Sequence, residues 1–214
     1  MLKLAKMLNL NKNQVASADL PCGYTCPCAN ECKAFAHPVT GKIIDGKDMK
    51  YRCYGASIEC MYKSARAAHW YNFDLLRNAE SVGGMTDVLL DGIGSNIKIL
   101  RVHSFGDFFN ENYFNAWVNV AERLTDVSIF AYTKVLNYVN AQKPANLAIQ
   151  YSYGGIMDKY LTSEPTAYVV RSKAEAEAKG IELSCQNDPA DDYNFILDKK
   201  SFGLLIHGTQ PKRS

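Results

Sequence analysis

Six of the seven cysteines in this chain, Cys22, Cys26, Cys28, Cys32, Cys53 and Cys60, fall within 39 residues of a 214-residue sequence. The densest stretch reads Cys22-Gly-Tyr-Thr-Cys26-Pro-Cys28-Ala-Asn-Glu-Cys32, and Tyr51-Arg-Cys53-Tyr-Gly-Ala-Ser-Ile-Glu-Cys60 follows it. Thiols are weakly hydrated and are soft donors. Several on one short loop can surround a metal that prefers sulfur, which means zinc or the iron of an iron–sulfur cluster.

Disulfides are the competing use of clustered cysteines, chiefly in small secreted proteins. The N-terminus, Met1-Leu-Lys-Leu-Ala-Lys-Met-Leu-Asn-Leu, alternates lysine with apolar residues. It has no continuous apolar core and no small-residue cleavage site, so it does not read as a signal peptide. The cysteine count is odd, and residues 61–214 hold only Cys185. That long remainder would have to be stable without bridges, and metal binding is the reading the residues favour.

Composition narrows the partners. Apolar residues make up 47% and charged residues 21% of the chain, the balance of an ordinary globular protein. No apolar run approaches the roughly 20 residues of a membrane span. The net charge of +2 is dispersed and does not support a nucleic-acid partner. Lys63, Arg66 and His69 recur at helical spacing and read as a solvated helix face.

The chain has no repeats and no long linker, and reads as one domain over 1–214. Residues 1–60 form a cysteine-rich arm and loops, with 1–20 as a short helix or arm and 38–46 as a hairpin excursion with two turn glycines. Residues 61–96 are helical. A helix over 57–79 presents Ile58, Met61, Tyr62, Ala65, Ala68, Tyr71 and Leu75 at three- and four-residue intervals, and Gly83-Gly84 ends it. Thr86 caps a second helix that runs to Ile93. From 97 to 214 strands alternate with helices: strands over 97–103, 127–132, 147–152, 167–171, 181–185 and 202–207, helices over 112–124, 136–141 and 172–179. Trp70 and Trp117 read as core residues. Six such units predict an α/β fold with a parallel sheet, here a partial (β/α)6-type barrel behind the cysteine-rich loops.

Ligands of parallel sheets sit at the C-terminal ends of the strands. Those ends carry His103 with Asp107, Tyr132-Thr-Lys134, Tyr151-Ser152, Arg171, Cys185 and His207. His103 is a candidate acid/base group, since its ordinary pKa lies near neutrality, or else a core histidine. Asp107 is a candidate partner or a helix cap, Lys134 an anion contact or a surface residue, and His207 a structural residue. Cys26, Cys32 and Cys53 are the expected metal ligands. Cys22, Cys28, Cys60 and Cys185 compete for the fourth position. The spacings contain no Cys-x2-Cys zinc knuckle. Nor do they complete Cys-x3-Cys-x2-Cys, because Cys22-x3-Cys26 is followed by a cysteine one residue too early.

Taken together, several motifs resemble the gene-product-88-like bacteriophage family. They are Thr25-Cys26-Pro27, Ala29, Cys32, Gly41-Lys, Asp45-Gly46, Arg52-Cys53-Tyr54, Arg101-Val-His103-Ser-Phe-Gly106-Asp107-Phe108-Phe109, Tyr113, Trp117 and Phe130-Ala-Tyr132-Thr133-Lys134. The resemblance spans about residues 20–185. It implies a phage-encoded protein of the host cytoplasm with a radical S-adenosylmethionine-like barrel and an iron–sulfur cluster. By position, Cys26, Cys32, Cys53, His103, Gly106 and Asp107 match the family. Cys185 matches a cysteine that often opens a C-terminal group, whose later members are absent here, so one cluster is the maximum. The expectation is therefore a single 4Fe–4S cluster on Cys26, Cys32, Cys53 and Cys185, with His103, Asp107 and Lys134 as candidate catalytic residues. With three ligands the open iron could take S-adenosylmethionine and allow redox or radical chemistry on a small molecule. The alternative is a zinc-stabilised module that binds a host protein or nucleic acid.

Overall fold

The computed structural model describes residues 1–2, 4–10, 13–139, 142–184 and 189–211, with side chains described outside 4–10, 13–15 and 189–191. The chain opens with strands β1 (Leu4–Leu10) and β2 (Asn13–Ala18), then a small hairpin of β3 (Ala34–Ala36) and β4 (Ile43–Asp45). Helices α1 (Tyr54–Met61), α2 (Lys63–Arg77) and α3 (Val82–Gly92) follow. Strand β5 (Ile99–Val102), helix α4 (Glu111–Arg123), β6 (Ser128–Thr133), β7 (Leu147–Ser152) and β8 (Thr166–Val170) continue the alternation. The chain ends with α5 (Lys173–Ala178), β9 (Glu182–Leu183), α6 (Pro189–Leu197) and β10 (Phe202–Leu205).

The main sheet runs β1-β2-β5-β6-β7-β8-β10-β9. Only β1 is antiparallel to its neighbour; the seven strands from β2 to β9 run parallel. The protein is a mixed α/β fold around a mostly parallel sheet. Strand alternation divides the side chains between two faces. Leu100, Val102, Ile129 and Ala131 join Leu89 of α3 and Trp117 of α4 in the larger core. Phe130, Ala167 and Phe202 face the other way and pack on Ile196 of α6. Beyond α6, the same face carries Arg101, Tyr132 and Leu204 toward the C-terminal strand ends, where a cavity opens.

Several expected boundaries move. Residues 1–20 are the β1–β2 hairpin rather than a helix or arm, and β2 pairs directly with β5. The lysine–apolar alternation at the N-terminus is a strand period. The long helix breaks at Tyr62, whose extended backbone separates α1 from α2. Gly83 and Gly84 lie in the first turn of α3, not at a helix end. Ser81 caps α3 by accepting the Gly84 amide at 3.0 Å, and the Thr86 hydroxyl instead donates to the Val82 carbonyl. Asn110, not Asp107, caps α4, accepting the Tyr113 amide at 2.8 Å. The helix expected over 136–141 is a turn at 137–139, with 140–141 outside the described residues. Among the described residues no helix is long and apolar enough to cross a membrane.

Candidate functional site

The cysteine loop leaves the C-terminal end of β2, and its irregular backbone has to find hydrogen-bond partners outside a ladder. Polar side chains supply them. The buried Asp19 carboxylate accepts from the Ser17 hydroxyl at 2.5 Å and from the Ser104 and Phe105 amides at 2.8 and 3.2 Å, tying the ends of β2 and β5 together. Thr25 donates its hydroxyl and its amide to the Pro21 carbonyl, at 2.8 and 3.2 Å. The Lys33 ammonium donates to the Gly23 and Cys26 carbonyls, both at 2.9 Å. On the far side, the Gly154 carbonyl accepts the Asn30 and Glu31 amides at 3.1 and 2.9 Å, docking the loop on the segment after β7.

Helices α1 and α2 brace this loop from behind with a polar face. Glu59 is 1% exposed; its carboxylate accepts the Cys22 amide at 3.2 Å and meets His69 Nδ1 at 2.6 Å. Arg66 reaches the Glu59 and Pro38 carbonyls, and Asn72 donates to the Asp19 carbonyl at 3.1 Å. The face expected to be solvated is thus buried at Arg66 and His69, while Met61, Tyr62 and Tyr71, expected inside, are exposed.

Cys22, Cys26, Cys32 and Cys53 all line one cavity of about 470 Å³ above the strand ends. Cys28 packs into the larger core and Cys60 lies half-buried on α1; neither reaches that wall. Cys185 lies outside the described residues. Gly55 fits tightly under the site, since a Cβ there would stand 2.4 Å from Cys22 Sγ. The neighbouring Cys22 thiol, with the Gly55 and Ala56 amides at the head of α1, pulls Cys53 down to about 7, toward the thiolate, while Cys22 is pushed up and holds its proton. Burial, with Asp107 and Cys53 nearby, pushes Cys26 up, although the Gly23 amide donates to its sulfur at 3.4 Å. Burial raises Cys32 to about 11 against the favourable charge of Lys134. Among the described residues no group of three or more His, Cys, Asp or Glu side chains is arranged to hold a metal ion.

Of the strand-end candidates, His103, Asp107, Tyr132, Lys134, Ser152 and His207 line the same cavity, whereas Tyr151 and Arg171 do not. His103 sits at φ 69° with its Nε2 bonded to the Tyr113 hydroxyl at 3.0 Å. Burial and the charge of Arg101 push it down to about 3, so it is neutral, which suits it to hydrogen bonding rather than to proton transfer near neutrality. Asp107 accepts from the Phe108 amide, the Thr133 hydroxyl and the Lys134 amide at 2.7, 2.6 and 3.0 Å, joining the ends of β5 and β6. Burial still raises it to about 6. The Lys134 ammonium donates to the Ser152 carbonyl and hydroxyl and to the Tyr153 carbonyl, at 3.0, 2.8 and 2.6 Å. All three of its protons are engaged, so it clamps β6 to β7 and lends its charge to Cys32. His207 packs its ring 4.6 Å from that of Tyr54 on the cavity wall.

A family model described as Gene product 88 matches residues 2–213. The chain is 32% identical to the Gene 88 protein of Mycobacterium phage D29 over 111 residues, which is 47% of this chain and 46% of that protein. It is 30% identical to the Gene 88 protein of Mycobacterium phage L5 over 112 residues, 47% of this chain and 46% of that protein. The match thus spans about half the length of these curated relatives. No solved structure matches. The chain belongs to the Gene product 88 family.

Proposed function

We propose that this member of the Gene product 88 family is an iron–sulfur protein that holds one 4Fe–4S cluster on Cys22, Cys26, Cys32 and Cys53. The observation that carries the reading is that four thiols, from two separate segments, line one cavity, although they are not drawn together into a metal-holding group. The donor set suits the group. All four are soft sulfur ligands, and the Gly23 amide on Cys26 and the helix head at Cys53 supply the N–H groups that stabilise thiolate charge. Cys22 takes the place first expected for Cys185, which remains the competing fourth ligand.

When bound, such a cluster supplies one-electron chemistry. The chain's own residues do the rest. Glu59 and Lys33 hold the loop, Lys134 offsets negative charge beside Cys32, and the cavity seats a small molecule within reach. In this reading the sheet curls into a partial barrel of the radical S-adenosylmethionine kind. Four thiolate ligands would leave no open iron position, so a molecule in the cavity would be an electron partner only. If Cys22 keeps its proton, Cys26, Cys32 and Cys53 alone would hold the cluster, the three-ligand arrangement that S-adenosylmethionine binding needs. The curated relatives are phage proteins, and we place this chain likewise in the cytoplasm of an infected host, acting on a small molecule or a host protein.

The test is anaerobic purification with a visible spectrum and with iron, sulfide and zinc measured on the same sample. The expected result is a brown protein with a broad band near about 400 nm and matched iron and sulfide. Cys26→Ser, Cys32→Ser and Cys53→Ser should each lose most of the iron. Loss in Cys22→Ser supports four-thiol ligation; retention, with S-adenosylmethionine binding, supports the open-iron form. A colourless protein with one zinc would overturn the cluster and leave the zinc-stabilised binding module.

A further inference from the structure

Arg101 on β5 lines the same cavity, beside Tyr132 of β6. Its guanidinium carbon lies 4.9 Å from the centre of the Tyr132 ring. Among the described residues its one hydrogen bond runs from Nε to the His103 carbonyl at 3.3 Å, and no carboxylate forms an ion pair with it. The two acids that reach it through the field are Asp192 and Asp19. Both are engaged elsewhere, Asp192 by the Ser184 hydroxyl and Asp19 at the ends of β2 and β5. Arginine stays charged at any pH the protein meets. A half-buried cation with no carboxylate in ion-pair contact is costly, and the cost falls when an anion meets it. One more buried polar atom in this cavity, His103 Nδ1, also lacks a partner among the described residues.

We infer that the cavity takes a small organic monocarboxylate, its carboxylate forked on the Arg101 guanidinium. The planar guanidinium offers two parallel N–H groups, a geometry that fits a carboxylate in two-point contact. A single anionic charge is favoured because, of the three cations on the lining, Arg52 is paired with Asp45 and Lys134 is engaged by Ser152 and Tyr153, which leaves Arg101 facing a cavity that also carries Asp107 and Asp192. A dianionic phosphate would bring a second charge for which the lining has no unengaged cation. An organic body is favoured because Tyr54, Val169, Leu204 and Ile206 supply apolar surface. The cavity volume of about 470 Å³ falls within the range of small-molecule sites, roughly 300–1,000 Å³. The inference rests on the proposed function in one respect, that this cavity is the working site; it does not require the metal.

Phenylglyoxal labelling of Arg101, followed by mass spectrometry, tests it on the protein as purified, with iron measured on the same sample. Benzoate should slow labelling of Arg101 several-fold, while benzyl alcohol and phosphate at equal ionic strength should not. Benzoate should also raise the melting temperature, and Arg101→Met should abolish that rise. If the variant does not fold, protection of the wild-type residue alone decides. Labelling indifferent to benzoate, or protection by phosphate equal to that by benzoate, would overturn the inference. Protection in a sample free of iron would uphold it while removing the cluster, and an iron-loaded sample without protection would do the reverse.

Discussion

Helices α2 and α4 are of similar length, 15 and 13 residues, yet they bury opposite chemistries. Helix α4 turns Tyr113, Phe114, Ala116, Trp117, Val120 and Ala121 inward, every one of them fully buried. Helix α2 turns in Arg66, His69, Asn72 and Leu76. The surfaces they cover explain the difference. Helix α4 lies on a sheet whose backbone groups are already paired along parallel ladders, so apolar contact is all that surface needs. Helix α2 lies behind the cysteine loop and its neighbours, where the Asp19, Pro38 and Glu59 carbonyls accept from its Asn72 and Arg66 side chains. An irregular loop can be held in one shape only by neighbours that hydrogen-bond to it. One helix supports a scaffold, and the other supports a site.

The comparison breaks most visibly if the two supports are not separable. Trp117→Ala empties the centre of the α4 core, where Trp117 is 0% exposed. It should cost about 3–5 kcal/mol in urea unfolding, the usual range for truncating a fully buried aromatic. Iron per folded molecule should stay at the wild-type level, because Cys22, Cys26, Cys32 and Cys53 lie outside the core that Trp117 fills. A folded Trp117→Ala protein that has lost its metal would mean that the core and the loop are one cooperative unit.

Glu59→Ala should give the converse pattern at a smaller stability cost. It strips the Cys22 amide and His69 Nδ1 of their shared partner. Leaving a buried donor unsatisfied costs about 1–3 kcal/mol, part of which the removal of a buried carboxylate offsets. The larger effect should be on the site, read as lower iron content and faster loss of iron to a chelator. If Glu59→Ala lowers the melting temperature and leaves iron retention intact, the polar face of α2 is ordinary core and its role as a brace is wrong.

How much of this was legible in the sequence follows the same division. The strand over 147–152 coincides with β7 because Leu147-Ala-Ile-Gln-Tyr-Ser carries its own apolar pattern. The gathering of polar residues at strand ends follows from parallel topology and was readable. Strand β2 was not: Asn13-Gln-Val-Ala-Ser-Ala has one β-branched residue, and its place between β1 and β5, rather than its own propensity, makes it a strand. In the site, thiol chemistry pointed to Cys26, Cys32 and Cys53, but spacing alone could not tell that Cys22 faces the cavity while Cys28 faces the core. Glu59, Arg66 and His69 were illegible for a deeper reason. Polar residues at helical spacing form the same pattern whether they face water or an irregular loop, and only the partner surface decides.

Met61→Ser carries the smallest expected effect and tests that last point. A continuous helix over 57–79 would place Met61 on a stripe with Ala65, Ala68 and Leu75, and truncating it would cost about 2 kcal/mol or more. Instead, Tyr62 takes φ −112° and ψ 99°, which ends α1 and lets α2 begin with its own rotation. That break turns Glu59 and His69 toward each other and leaves Met61 56% exposed. Met61→Ser should therefore change stability by no more than about 0.5 kcal/mol, the usual range for a surface substitution, and leave iron content unchanged. A loss near 2 kcal/mol would restore the continuous helix, and with it the apolar inner face that the spacing of Ile58, Met61, Ala65 and Ala68 predicts.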